Sequence, residues 1–163
     1  MTEDFKKRAQ ELALKARPAA SSNVDARTDA DRERLRSDFL STMEQVLQPI
    51  EGSLNEAFGP NGQLFEHMTS RQAIGVQDSR STFAQLFFYF NRELRERLGR
   101  NTASIRFELD ADSGKVKVME NTERRPAPLR TVKELAPSEL TPEAIESWVG
   151  RFVEGATASS SAA

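Results

Sequence analysis

Residues 82–98 read Thr82-Phe83-Ala84-Gln85-Leu86-Phe87-Phe88-Tyr89-Phe90-Asn91-Arg92-Glu93-Leu94-Arg95-Glu96-Arg97-Leu98, and two rules of sequence reading disagree over them. The aromatic content is that of a strand. The spacing is that of a helix: Phe83, Leu86, Phe87, Phe90, Leu94 and Leu98 share one helical face, and Gln85, Tyr89, Arg92 and Glu96 share the other. Ser81 or Thr82 supplies a cap, and Gly99 follows the last apolar residue. Periodicity sustained over this length predicts a helix over 82–98 at the centre of the core.

Upstream, Leu35, Phe39, Met43, Val46, Ile50 and Leu54 recur at helical spacing, widened by Leu40 and Leu47 and extended by Phe58. This predicts a helix over 30–58, capped by Asp29 or Asp31, kinked at Pro49 and stopped by Gly59-Pro60-Asn61-Gly62. Residues 63–80 have no clear period, apart from a short strand expected within 71–77 around Ala73-Ile74-Gly75-Val76. Downstream, Ile105, Phe107 and Leu109 alternate with polar residues, as do Val116 and Val118, around Asp110-Ala111-Asp112-Ser113-Gly114. That is a hairpin signal. Residues 129–132 offer a third strand. Thr141 and Pro142 open a last helix with the face Ile145, Trp148, Val149 and Phe152, which Gly155 is expected to end.

At the other end, Phe5, Ala9, Leu12 and Ala16 mark a short amphipathic helix, followed by the small, polar stretch 17–27. A helix of about 14 residues is marginal alone in water. The expected fold class is therefore α+β, a long N-terminal helix and two shorter helices packed on a small antiparallel sheet. Residues 1–27 form an arm with a linker, 28–154 a single domain, and 155–163 a disordered tail.

Composition removes whole classes of chemistry. The 163 residues include no cysteine and one histidine, His67. Disulfides, thiolate metal sites, cysteine nucleophiles and any site needing two imidazoles are excluded within this chain. The longest apolar run, Leu86-Phe87-Phe88-Tyr89-Phe90, is far short of the roughly 20 residues that cross a bilayer. The N-terminus lacks a secretory pattern, so a cytoplasmic location is expected. Asp110-x-Asp112 resembles the start of a calcium loop, but Gly114 and Lys115 stand where that loop needs other residues, which leaves a plain turn. His67 has no orienting partner nearby in sequence and reads as structural. Glu93/Glu96 and Glu143/Glu146 read as solvated helix-face pairs, and Trp148 as core. No metal or cofactor is expected.

The net charge is −2, unevenly placed. Residues 92–133 carry 11 basic and 7 acidic side chains, whereas residues 134–163 carry 1 and 5. The basic set, including Arg92, Arg106, Lys115, Lys117, Arg124, Arg125 and Arg130, is interleaved with Glu108, Asp110, Asp112, Glu120 and Glu123, which repel a polyanion. Nucleic acid is thus an unfavoured but not excluded partner.

The run Asn101-Thr102-Ala103-Ser104-Ile105-Arg106-Phe107-Glu108-Leu109-Asp110, continued to Val118, with Pro137-Ser138-Glu139-Leu140 after it, resembles the core of small flagellin-associated proteins of the FlaG type. The long helix and the Pro-rich insertion at 126–128 depart from that pattern, and no function is carried over. The layout is also similar to that of secretion chaperones, at the level of architecture alone.

The function expected is a non-enzymatic protein-interaction or chaperone/adaptor-like module acting through apolar helix faces, with nucleic-acid binding through 92–133 as the alternative. A protein partner and a homo-oligomer are expected. Self-association is assigned to Leu35, Phe39, Leu40, Met43, Val46, Leu47 and Ile50, and arm docking to Phe5 and Leu12.

Overall fold

The structure is a computed structural model, and it describes residues 3–16, 28–71, 81–94, 102–125 and 127–162. Helix α1 spans Glu3–Ala16 and helix α2 spans Asp29–Phe58. Five strands follow: β1 (Leu64–Thr69), β2 (Thr82–Tyr89), β3 (Thr102–Leu109), β4 (Val116–Asn121) and β5 (Arg130–Leu135). Helix α3, Pro142–Ala162, closes the chain. The strands form one antiparallel meander in the order β1-β2-β3-β4-β5. Helix α2 packs over β1 and β2, and α3 over β3 and β4. The α+β class is as expected, with a larger sheet.

The segment 82–98 does not form the expected helix. Residues 82–89 are strand β2, Arg92–Leu94 form a single 3-10 turn, and residues 95–98 lie outside the described residues. The reason is burial on both faces. Alternate side chains of a strand point to opposite faces. Ala84, Leu86 and Phe88 therefore enter the core beneath the helices, together with Phe90. Phe83, Gln85, Phe87 and Tyr89 occupy the other face, where the Arg106 guanidinium lies 3.8 Å from the Phe83 ring centroid and Phe87 stacks on Tyr89. A run that is apolar at both parities matches a helical template by chance. Pairing decides the outcome, because β1 and β3 satisfy the backbone of β2 on both sides.

Strand β1 was not legible because its inward positions are only partly apolar. Phe65, His67 and Thr69 face α2, opposite Phe88, Leu86 and Ala84 of β2. His67 bonds through Nδ1 to the Glu51 carboxylate, and Thr69 Oγ1 donates to Glu44 at 3.3 Å. The short strand expected at 73–76 lies outside the described residues.

Other elements follow their local chemistry. The cap of α2 is Thr28 rather than Asp29 or Asp31. Its Oγ1 accepts the Asp31 N–H at 3.1 Å, and the Asp31 carboxylate accepts the Thr28 N–H in return. Pro49 sits in an uninterrupted α2. The hairpin forms as expected, its turn held by Asp110 Oδ1 accepting the Asp112 N–H at 2.9 Å and by Gly114 at φ +76°. The third strand is β5. Thr141 caps α3 by accepting the Ala144 N–H at 3.1 Å.

Gly155 does not end α3, and residues 155–162 are helical rather than a disordered tail. A Cβ at Gly155 would stand 3.2 Å from Thr122 Cγ2, so this glycine permits close approach of α3 to the end of β4. Ala156 beyond it is fully buried.

An aromatic cluster ties α2 to the sheet: Phe58 meets Phe65 and Phe88 edge-on at 5.3 and 5.7 Å, and Phe88 lies 4.4 Å from both Phe65 and Phe90. Strand parity can be tested by substitution. Phe88→Ala should cost about 3–5 kcal/mol in urea unfolding, and Phe87→Ala, half-buried on the opposite face, clearly less. The reverse order would restore the helical assignment.

Candidate functional site

An apolar groove of about 710 Å3 lies between α2 and α3. Helix α2 contributes Gln45, Val46, Pro49, Ile50, Ser53 and Leu54, and α3 contributes Pro142, Glu146, Val149, Gly150 and Val153. Each set repeats at three- and four-residue spacing, so each is one face of its helix. The groove exists because the apolar stripe of α2 is wider than the sheet contact consumes. Phe39, Leu40, Met43 and Leu47 are buried against the sheet, while Val46, Ile50 and Leu54 are only partly covered.

That division separates the residues expected to self-associate into two groups. Of those seven residues, Phe39, Leu40, Met43 and Leu47 are buried in the core of the chain itself. The sheet has a strand at 64–69 and another at 82–89, which cover what a smaller sheet would have left bare. Leu35, Val46 and Ile50 remain at the margin, the last two in the groove.

Two features give the groove a polar bias. One is Pro49 on the groove wall, which has no N–H to give to the turn before it. The other is Glu146 on α3, an exposed residue and the charged one in the lining. The charge of Glu146 favours a cationic group there. The wall also holds Gly150, where an added Cβ meets nothing within 4 Å. An exposed glycine inside a helix costs roughly 0.5–1 kcal/mol relative to alanine.

Phe5 and Leu12, expected to dock the arm, lie together on α1 and are each 58% exposed. No extensive contact joins α1 to another described element.

Other candidate chemistry resolves into structural roles. The partner of His67 is Glu51, sixteen residues away along the chain. Glu44, next along that face of α2, also pairs with Arg71 at 3.5 Å. No sequence signal pointed to these pairs, because they exist only once α2 lies along β1. Among the described residues no three potential metal ligands cluster. Asp112 accepts a hydrogen bond from Arg32 at 2.7 Å, which ties the hairpin turn to the start of α2. In the basic segment, Arg106 pairs with Glu108, Lys115 with Glu134 and Arg125 with Glu123. Arg106 also donates to Ser81 Oγ at 2.9 Å, so the polar groups of the outer sheet face are largely bonded to one another. No described helix is long and apolar enough to cross a membrane.

Glu120 lies on the helix-bearing face, opposite Ile105 and Arg130. Burial pushes its carboxyl above the ordinary value, and the charge of Arg130 opposes that shift. A raised carboxyl favours the fold at low pH, and that contribution is lost as pH rises through the folded-state value. Glu120→Gln should therefore match the parent below the normal carboxylate range and gain at most about 0.5 kcal/mol at neutral pH, a figure kept small by solvent screening. Paired urea titrations at acidic and neutral pH check this, and a loss at neutral pH would contradict it.

Comparison with protein families, with curated proteins and with solved structures finds no match to this chain, so the resemblance of residues 101–140 to FlaG-type proteins gains no support.

Proposed function

We propose that the protein is a non-enzymatic interaction module whose α2/α3 groove receives a basic amphipathic helix from a protein partner. The observation that carries this reading is the open groove itself, walled by Val46, Ile50, Leu54, Val149 and Val153 and carrying the charge of Glu146. A helix entering it buries apolar side chains at i, i+3/i+4 and i+7, and places lysine or arginine against the acidic wall. Gly150 lets the incoming backbone come close. The apolar contacts supply affinity, and the charges supply orientation and partner choice.

The segment 28–163 holds every described core residue, and it serves as the receptor in a direct test. Two synthetic helices of about 18 residues, with the same apolar face but lysine or glutamate on the polar face, are titrated by calorimetry. The lysine-faced helix should bind saturably and the glutamate-faced one much more weakly. Gly150→Arg, which points into open space and leaves the fold intact, should lower the affinity at least about tenfold. Absence of binding by the lysine-faced helix, or binding indifferent to Gly150→Arg, overturns the reading.

A further inference from the structure

We infer that the groove has an occupant within the same chain: α1 seats Phe5 and Leu12 between α2 and α3, and competes there with the partner's helix. The inference rests on the groove being a helix receptor. It adds the identity of one ligand and a means of regulation.

Three independent observations converge on α1. The first is complementarity of apolar surface. Phe5 and Leu12 are the large apolar side chains that the described residues leave exposed, while the groove is an apolar concavity left open. Seven residues separate these anchors, about 10 Å along a helix, and the stretch from Val46 to Leu54 runs about 12 Å. The second is charge. Helix α1 carries Lys6, Lys7, Arg8 and Lys15 against three acidic residues, and the charged residue lining the groove is Glu146. The third is reach. The chain between Ala16 and Asp29 has twelve residues and extends at most to about 40 Å. Ile50, at mid-groove, lies about 32 Å along α2 from Asp29. The tether therefore covers the distance, and tethering raises the local concentration of α1 at the groove to the millimolar range.

The energetic logic favours a reversible contact. A helix as short as α1 is marginal on its own, and docking recovers that cost by burying its two anchors. With so few anchors, docking is weak enough for a partner helix with a longer apolar face to displace it. The state with Phe5 and Leu12 exposed is then the partner-competent one, and the docked state is self-occupied.

The absence of native cysteine makes a crosslinking test clean. The full chain carrying Ala9→Cys on the anchor face of α1 is combined with Ser53→Cys on the groove wall, or with Lys117→Cys on the outer sheet face as a control. Under mild oxidation the Ser53 pair should form an intramolecular disulfide in the monomer at least about tenfold faster than the Lys117 pair. Gly150→Arg, or the lysine-faced helix in excess, should slow it. Equal rates for the two pairs overturn the inference. Disulfide-linked dimers without an intramolecular product overturn it in favour of arm exchange with a second copy. Failure of α1 stays distinguishable from failure of the receptor: binding of the synthetic helix by the segment 28–163 does not involve α1 and stands or falls separately.

Discussion

The carboxamide of Asn55 holds both outward backbone groups of Phe65. Its Oδ1 accepts the Phe65 N–H at 2.7 Å, and its Nδ2 donates to the Phe65 carbonyl at 3.0 Å. Phe65 lies on β1, a terminal strand of the sheet, where unpaired N–H and C=O groups would otherwise invite another chain. The same side of α2 continues with Glu51 bonded to His67 and Glu44 bonded to Thr69. Positions 44, 51 and 55 fall on one helical face. This polar ladder both closes the sheet edge and fixes the rotation of α2 about its own axis.

Everything functional in the account follows from that rotation. Going round α2, the polar ladder is followed by the apolar stripe, in which Leu40, Leu47, Met43 and Phe39 interleave with Leu54 and Ile50, and then by the flank of Val46, Ser53 and Pro49. With the ladder on the edge strand, the stripe points down onto the sheet and the flank points towards α3. Helix α3 cannot close fully over that flank, because it sits on β3 and β4, drawn in close at Gly155 against Thr122. The gap between the two helices is the groove. It is a product of where each helix is anchored, and its apolar walls are the surplus width of two amphipathic helices.

The local sequence carried much of this. The α2 stripe, the hairpin around Asp110, the Thr141 cap of α3 and the amphipathic face of α1 were all legible, because each depends on neighbours in sequence. Strand β2 looks helical in sequence, since Phe83 and Phe87 on one face and Leu86 and Phe90 on the other merge into a helical pattern when the two faces cannot be told apart. Strand β1 was missed, since His67 and Thr69 face inward and are neutralised only by Glu51 and Glu44 from a distant helix. The groove was half legible: Val46 and Ile50 were singled out on α2, but as a surface for a second copy. Their facing partners on α3, Gly150 and Val153, carried no signal, because nothing in a linear pattern says which two helix flanks will be left a few ångströms apart.

The central claim is that the α2/α3 groove, and not the aromatic outer face of the sheet, is the surface that receives a helix. Methyl-resolved NMR of the protein titrated with the lysine-faced synthetic helix tests it most directly. Saturating shifts are expected at the methyls of Val46, Ile50, Leu54, Val149 and Val153, with those of Met68 and Met119 on the outer face unmoved. Shifts confined to Met68 and Met119, with the groove methyls silent, would contradict it.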